Sequence, residues 1–197
     1  RPSCHKQFGE STALLAGDAL VTAAFEVLAN AGLSAESRIE AVRLLSRGGG
    51  DRGMLYGQEL DKHFETVRAS EQELMALHAH KTGALITTAV HLGCAAAGVA
   101  ADTDMRGALA RYAAEIGLVF QIVDDILDVT STTEELGKPV GSDADNDKTT
   151  FITLYGLQGA HEKAERHNAA ALAALDALGP KADFLRLLAA ELLERKK

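Results

Sequence analysis

The run Ile116-Gly117-Leu118-Val119-Phe120-Gln121-Ile122-Val123-Asp124-Asp125-Ile126-Leu127-Asp128-Val129 decides the fold class. It is apolar around nearly its whole circumference, the pattern of a helix surrounded by protein rather than one lying on a surface. Helices of that kind need other helices to cover them, and the composition supplies them. Ala and Leu account for 35 and 27 residues, 62 of the 197, against 3 Pro and no Trp. Both residues head the helix-propensity scale, while strand-forming β-branched and aromatic residues are scarce. An all-β fold is excluded and an all-α fold is expected.

The same run carries three carboxylates within five residues. Asp124 and Asp128 are four apart, as are Gln121 and Asp125, so these side chains are expected to share one face. Burying one unpaired carboxylate costs several kcal/mol, and three together repel one another. A hard divalent cation would compensate. Mg²⁺ in particular takes one or two carboxylates and keeps waters and phosphate oxygens as its other ligands. The plainer alternative, a charged face on a surface helix, is disfavoured by the unbroken apolar flanks. Lys81-Thr82-Gly83 falls mid-helix, where Thr and Gly invite a kink that would turn Lys81 and the Thr82 hydroxyl inward. A surface lysine beside a small-residue contact is the competing account. The polar stretch from Gly137-Lys138-Pro139 to Asp147-Lys148 adds two lysines able to act as point charges on diphosphate oxygens, or simply a solvated loop.

Working outward, the pattern predicts long helices with short breaks. One runs from about Thr12 to Ala31, and a second is capped by Ser34 and broken at Gly48-Gly49-Gly50. A weaker stretch covers Met54 to Phe64. Ser70-Glu71-Gln72-Glu73 matches a capping box and opens a helix reaching about Ala97. Further helices are expected over Asp104 to Val129, Thr149 to Leu178, and Asp183 to Arg195. The whole of 1–197 reads as one α-helical domain. The start at Arg1-Pro2-Ser3, without a methionine, suggests an upstream part.

The net charge of −8 argues against a nucleic-acid partner. Cys4 and Cys94 lie far apart with no CxxC spacing, which suits a reducing, cytoplasmic setting. No apolar run reaches membrane-spanning length without a charge or a break, so no stable membrane insertion is expected. His78, His80 and His91 read as surface or satisfied core residues, Asp18 as a buried carboxylate bonded to a neighbouring helix, and Cys4 as a small packed residue.

Taken in order, these segments resemble the trans-isoprenyl diphosphate synthases (polyprenyl synthetases). Phe120-Gln121 followed by Asp124-Asp125-Ile126-Leu127-Asp128 is similar to the family's second aspartate-rich motif. Lys81-Thr82-Gly83-Ala84-Leu85-Ile86, Gly137-Lys138-Pro139 and Asp147-Lys148-Thr149-Thr150 match in the right order. His5-Lys6-Gln7-Phe8-Gly9-Glu10 and Leu15-Ala16-Gly17-Asp18-Ala19-Leu20 resemble the segment after the first such motif. The bacterial short-chain branch, exemplified by farnesyl diphosphate synthases, is the nearest match, partly through Gly57-Gln58-Glu59-Leu60-Asp61.

The resemblance implies an isoprenoid-synthase-type bundle of long helices around a central cavity, acting as a homodimer. It implies Mg²⁺ on Asp124, Asp125 and Asp128, and an allylic diphosphate held by Lys81, Thr82, Gln121, Lys138 and Lys148. Asp124, Asp125 and Lys81 would then be the catalytic residues. The implied reaction joins isopentenyl diphosphate to an allylic diphosphate (dimethylallyl or geranyl) by ionisation, most simply giving farnesyl diphosphate. A geranylgeranyl product, or a non-catalytic subunit of a heteromeric synthase, are the alternatives. The first aspartate-rich motif and the isopentenyl diphosphate site would lie before Arg1, making this chain the C-terminal two thirds of a larger domain and inactive in prenyl transfer when expressed alone.

Overall fold

The computed structural model describes residues 2–101, 103–131 and 148–195. Lys138 and the stretch from Gly137 to Asp147 lie outside the described residues. All regular structure among the described residues is helical. The helices are α1 (Cys4–Phe8), α2 (Glu10–Ala29), α3 (Ala35–Gly49), α4 (Met54–His63) and α5 (Glu71–His78). A π-helical turn, Ala79–Gly83, joins α5 to α6 (Ala84–Ala96). Then come α7 (Asp104–Thr130), α8 (Phe151–Ala174), a 3₁₀ segment Asp176–Ala182, and α9 (Asp183–Leu193).

Local chemistry explains four of the helix starts. Ser34 Oγ accepts from Ser37 N at 3.1 Å and caps α3. At α5 the capping box forms in full: Ser70 Oγ accepts from Glu73 N while the Glu73 carboxylate accepts from Ser70 N at 2.8 Å. Thr103 caps α7 and Thr150 caps α8 in the same manner. Each such cap satisfies one or two of the N–H groups that a helix start leaves without an internal partner. The helix expected over Thr149 to Leu178 proves less regular. Gly156 adopts φ 69°, interrupting α8 in its second turn, and the regular helix ends at Ala174.

Helix α7 is the axis of the bundle. Val119 and Ile122 are completely buried, with Ile116, Val123, Ile126 and Leu127 nearly so. Around the second half of α7 they meet Leu74 and Leu77 of α5 and Phe151, Ala160 and Ala164 of α8. On α8 the buried residues Ala160, Ala164, Asn168 and Ala171 recur at spacings of four, four and three, a stripe of one helix face. Alanine there lets the two long helices approach closely. Burying each larger apolar side chain contributes about 1.5–3 kcal/mol. A second cluster, Tyr112, Ile116, Ala171, Leu175 and Ala189, closes the other end, where Tyr112 Oη donates to the Leu185 carbonyl at 2.8 Å.

The N-terminal helices behave differently from expectation. No residue of α1 or α2 is buried. Asp18 is therefore exposed rather than buried against a neighbour, and Cys4 is exposed rather than packed. Helix α2 is long and apolar enough to cross a membrane by length and composition alone, with a mean hydropathy of 1.6 in its most apolar window.

One close approach holds the π turn against the axis. A Cβ built on Gly117 would lie 2.9 Å from Gly83 Cα, tighter than real contacts allow. Gly117→Ala should therefore push α7 away from the π turn at a cost of about 1–3 kcal/mol. Thermal unfolding followed by circular dichroism should show this as a loss of about 2–4 °C per kcal/mol.

Candidate active site

The site begins with a glycine. A Cβ on Gly57 of α4 would fall 2.1 Å from Lys81 N and 2.4 Å from Lys81 Cα, so only glycine lets α4 lie directly on the π turn. One helical turn later on the same face is Asp61, and the close approach sets its carboxylate beside Lys81. Lys81 Nζ donates to Asp61 Oδ2 at 2.6 Å, and Lys148 Nζ stands 3.6 Å from Asp61 Oδ1. Burial alone would raise the Asp61 carboxyl. The Lys81 hydrogen bond and charge, reinforced by Lys148, outweigh that and hold it below its ordinary value.

A second chain of contacts crosses from the π turn to α8. Thr82 Oγ1 donates to Gln121 Oε1 at 3.2 Å, and Gln121 Nε2 donates to Asp125 Oδ1 at 3.3 Å. The other Asp125 oxygen accepts from Phe151 N at 2.8 Å. Asp125 thus caps α8 from another helix, where the unpaired N–H groups and the helix dipole favour an anion. That bond also fixes where Lys148, Thr149 and Thr150 emerge, and Thr149 Oγ1 in turn accepts from Ala69 N at 3.1 Å. The expected kink is present as the π turn, a feature that often marks functional positions.

The three aspartates have separated roles. Asp125 is 4% exposed and committed to Phe151 and Gln121, and Asp128 is 2% exposed. Asp124 keeps a side chain 37% exposed and accepts from Arg195 Nη2 at 3.1 Å, while the Arg195 guanidinium also covers the Phe120 ring. Among the described residues no three His, Cys, Asp or Glu side chains gather closely enough to hold a metal ion together. Asp124 and Asp125 line one cavity, with Asp125 also bonded to Phe151 and Gln121, while Asp128 is not among its lining residues. A hard cation that takes one or two carboxylates and fills its remaining positions with water and phosphate oxygens still fits Asp124, with Asp125 alongside.

These elements enclose a cavity of about 240 Å³ lined by Asp61, Leu77, His78, Lys81, Gln121, Asp124, Asp125, Lys148, Thr149 and Thr150. Of the residues expected from sequence, Lys81, Gln121, Asp124, Asp125 and Lys148 meet on it. Thr82 stands directly behind Gln121, while Asp128 is not among the lining residues. Asp61, His78 and Arg195 are the participants that sequence reasoning did not single out. Spacing offered a signal for the first two. Asp61 follows Gly57 by four residues, and His78 precedes Lys81 by three. His78 and His80 do diverge as their spacing predicts, since His80 packs edge-on against Tyr56. His91 accepts from Arg106 Nε, a structural contact.

Comparisons with known proteins place the chain in a family. The polyprenyl synthetase family model matches residues 1–177. The chain belongs to the polyprenyl synthetase family. It is 42% identical over 196 residues to the farnesyl diphosphate synthase of Haemophilus influenzae, covering 99% of this chain and 66% of that protein. Identity to the farnesyl diphosphate synthase of Escherichia coli is 45% over 168 residues, 83% of this chain and 55% of that one. The crystal structure of a geranyltransferase from Helicobacter pylori complexed with magnesium and isoprenyl diphosphate superposes with a TM-score of 0.85 at 38% identity, over 98% of this chain and 63% of that one. This polyprenyl synthetase chain thus has the all-α isoprenoid synthase fold and spans between 55% and 66% of the length of these relatives.

The Asp61 contacts give a pH signature. A carboxylate whose folded pKa lies below its unfolded value contributes stability above the unfolded pKa and loses it as pH falls through the folded one. Asp61→Asn should accordingly cost up to about 1 kcal/mol at neutral pH, because the pair remains partly open to solvent. That difference from wild type should fade as pH drops below about 4, as read from urea unfolding at a series of pH values.

Proposed function

We propose that the full-length protein is a trans-prenyltransferase that condenses isopentenyl diphosphate with an allylic diphosphate, most simply yielding farnesyl diphosphate. One observation carries this reading: Lys81, Lys148, Gln121 and Asp124 line a single cavity. Two ammonium groups and a carboxylate lining one cavity are what a Mg²⁺-bound diphosphate requires. The names of the relatives support the product, and the crystal structure of the geranyltransferase with magnesium and isoprenyl diphosphate supports the ligand class.

In this reading Asp124 holds Mg²⁺ with Asp125 alongside, and Asp128 adds negative charge one turn further on. The metal supplies electrophilic pull on the departing diphosphate. The chain's own contribution is positioning and charge. Lys81 and Lys148 stabilise the negative charge that develops on the leaving oxygens, and Lys138 is proposed to join them. Thr82 fixes the Gln121 amide so that it meets the ligand in one orientation. Capture of the allylic cation by the isopentenyl double bond and subsequent proton loss complete the condensation. Homodimerisation, a cytoplasmic setting and the absence of membrane insertion belong to the same proposal.

The test is to incubate the full-length protein with isopentenyl and geranyl diphosphates plus Mg²⁺ and size the product. A C15 diphosphate is expected. A C20 product would instead indicate geranylgeranyl synthesis, and no product a non-catalytic subunit. Asp124→Ala should lower turnover by about 10²–10³-fold with unchanged helical circular dichroism. Wild-type turnover in that variant would remove Asp124 from the site.

A further inference from the structure

His78 has no role in the reading above, yet its surroundings are unlike those of an ordinary core histidine. It is the last residue of α5, 6% exposed, and stacks on Phe151 with ring centroids 5.5 Å apart at 22°. Both ring nitrogens are buried, and among the described residues neither has a hydrogen-bond partner. Leaving a buried polar atom unpaired is costly, and the large majority of such atoms find a partner. Apolar side chains fill the adjoining core through Leu74, Leu77 and Val119, so a phenylalanine or leucine at position 78 would satisfy packing equally well. The imidazole borders the cavity three residues before Lys81. Desolvation, then the Lys81 charge, against the opposing pull of Asp61, lower its pKa to about 4. The ring is neutral near pH 7 and carries one N–H.

We propose that His78 is a further ligand-binding residue of this cavity, donating its ring N–H to an oxygen of a diphosphate held between Lys81 and Lys148. This rests on the diphosphate reading of the site. The ligand supplies the partner that the protein withholds from the imidazole, and the Phe151 stack holds the ring in place meanwhile. A neutral donor complements the two lysines. It adds direction to a contact that ammonium groups make largely as point charges.

The discriminating variant is His78→Phe, which keeps a planar ring on Phe151 and removes both nitrogens. In the full-length protein without ligand, its melting temperature should equal or exceed that of wild type. Its affinity for inorganic diphosphate with Mg²⁺, measured by calorimetry, should fall roughly ten- to hundredfold. His78→Gln, which restores an N–H donor, should recover most of that loss. In the wild-type protein, inorganic diphosphate should shift the ¹⁵N resonances of His78, a readout independent of whether any variant folds. Wild-type affinity in His78→Phe, or unmoved His78 resonances at saturating diphosphate, would overturn the proposal. Lys81→Ala separates the two levels. Binding weakened by Lys81→Ala but not by His78→Phe sinks the histidine role alone, whereas a wild-type protein that binds no diphosphate sinks both.

Discussion

The bond from Phe151 N to Asp125 is the contact on which the site depends. A carboxylate in the middle of a buried helix would be a liability in isolation. Here one oxygen satisfies the start of α8 and the other holds Gln121, so the charge is spent on joining two helices rather than left to repel its neighbours. Because α8 begins where Asp125 allows, Lys148, Thr149 and Thr150 arrive at the cavity with little freedom. The extensive α7–α8 packing, with its alanine stripe, makes that position rigid.

The separation of the aspartates follows from the same geometry. Adjacent residues on a helix point about 100° apart, so Asp124 and Asp125 reach the same cavity from different angles. Asp125 joins α7 to α8, while Asp124 meets Arg195. Asp61 performs a comparable service for the lysines. Its carboxylate holds Lys81 and approaches Lys148 where an anionic ligand would later bind, which keeps two like charges close together without that ligand.

Local chemistry was readable from sequence where the partners are close along the chain. The Ser70 capping box, the Ser34 cap and the apolar circumference of α7 needed only a few neighbouring residues to interpret, and they appear where expected. The kink at Lys81-Thr82-Gly83 was also legible, though not its π-helical form. Features fixed by distant backbone were not. Asp61 meets Lys81 because Gly57 admits another helix, and Asp125 turns to a residue 26 positions away. His78 looked like an ordinary core histidine because no local pattern reports that its nitrogens lack partners. Asp18 is exposed because apolar neighbours in sequence do not guarantee that anything covers them in space, and Cys4 is exposed in a short helix that buries none of its residues.

The π turn carries an implication about what the chain can tolerate in length. Such a turn holds one more residue than an α-helix would use there, so shortening 79–83 by a single residue would leave a continuous and chemically reasonable helix. The side chains of the turn itself would then be displaced around the axis by up to about 100° relative to those of α5. Thr82 would leave Gln121, and Lys81 and His78 would no longer open onto one space. The reading frame between the two halves of this helix is therefore part of the binding site, as binding as the identity of any residue in it.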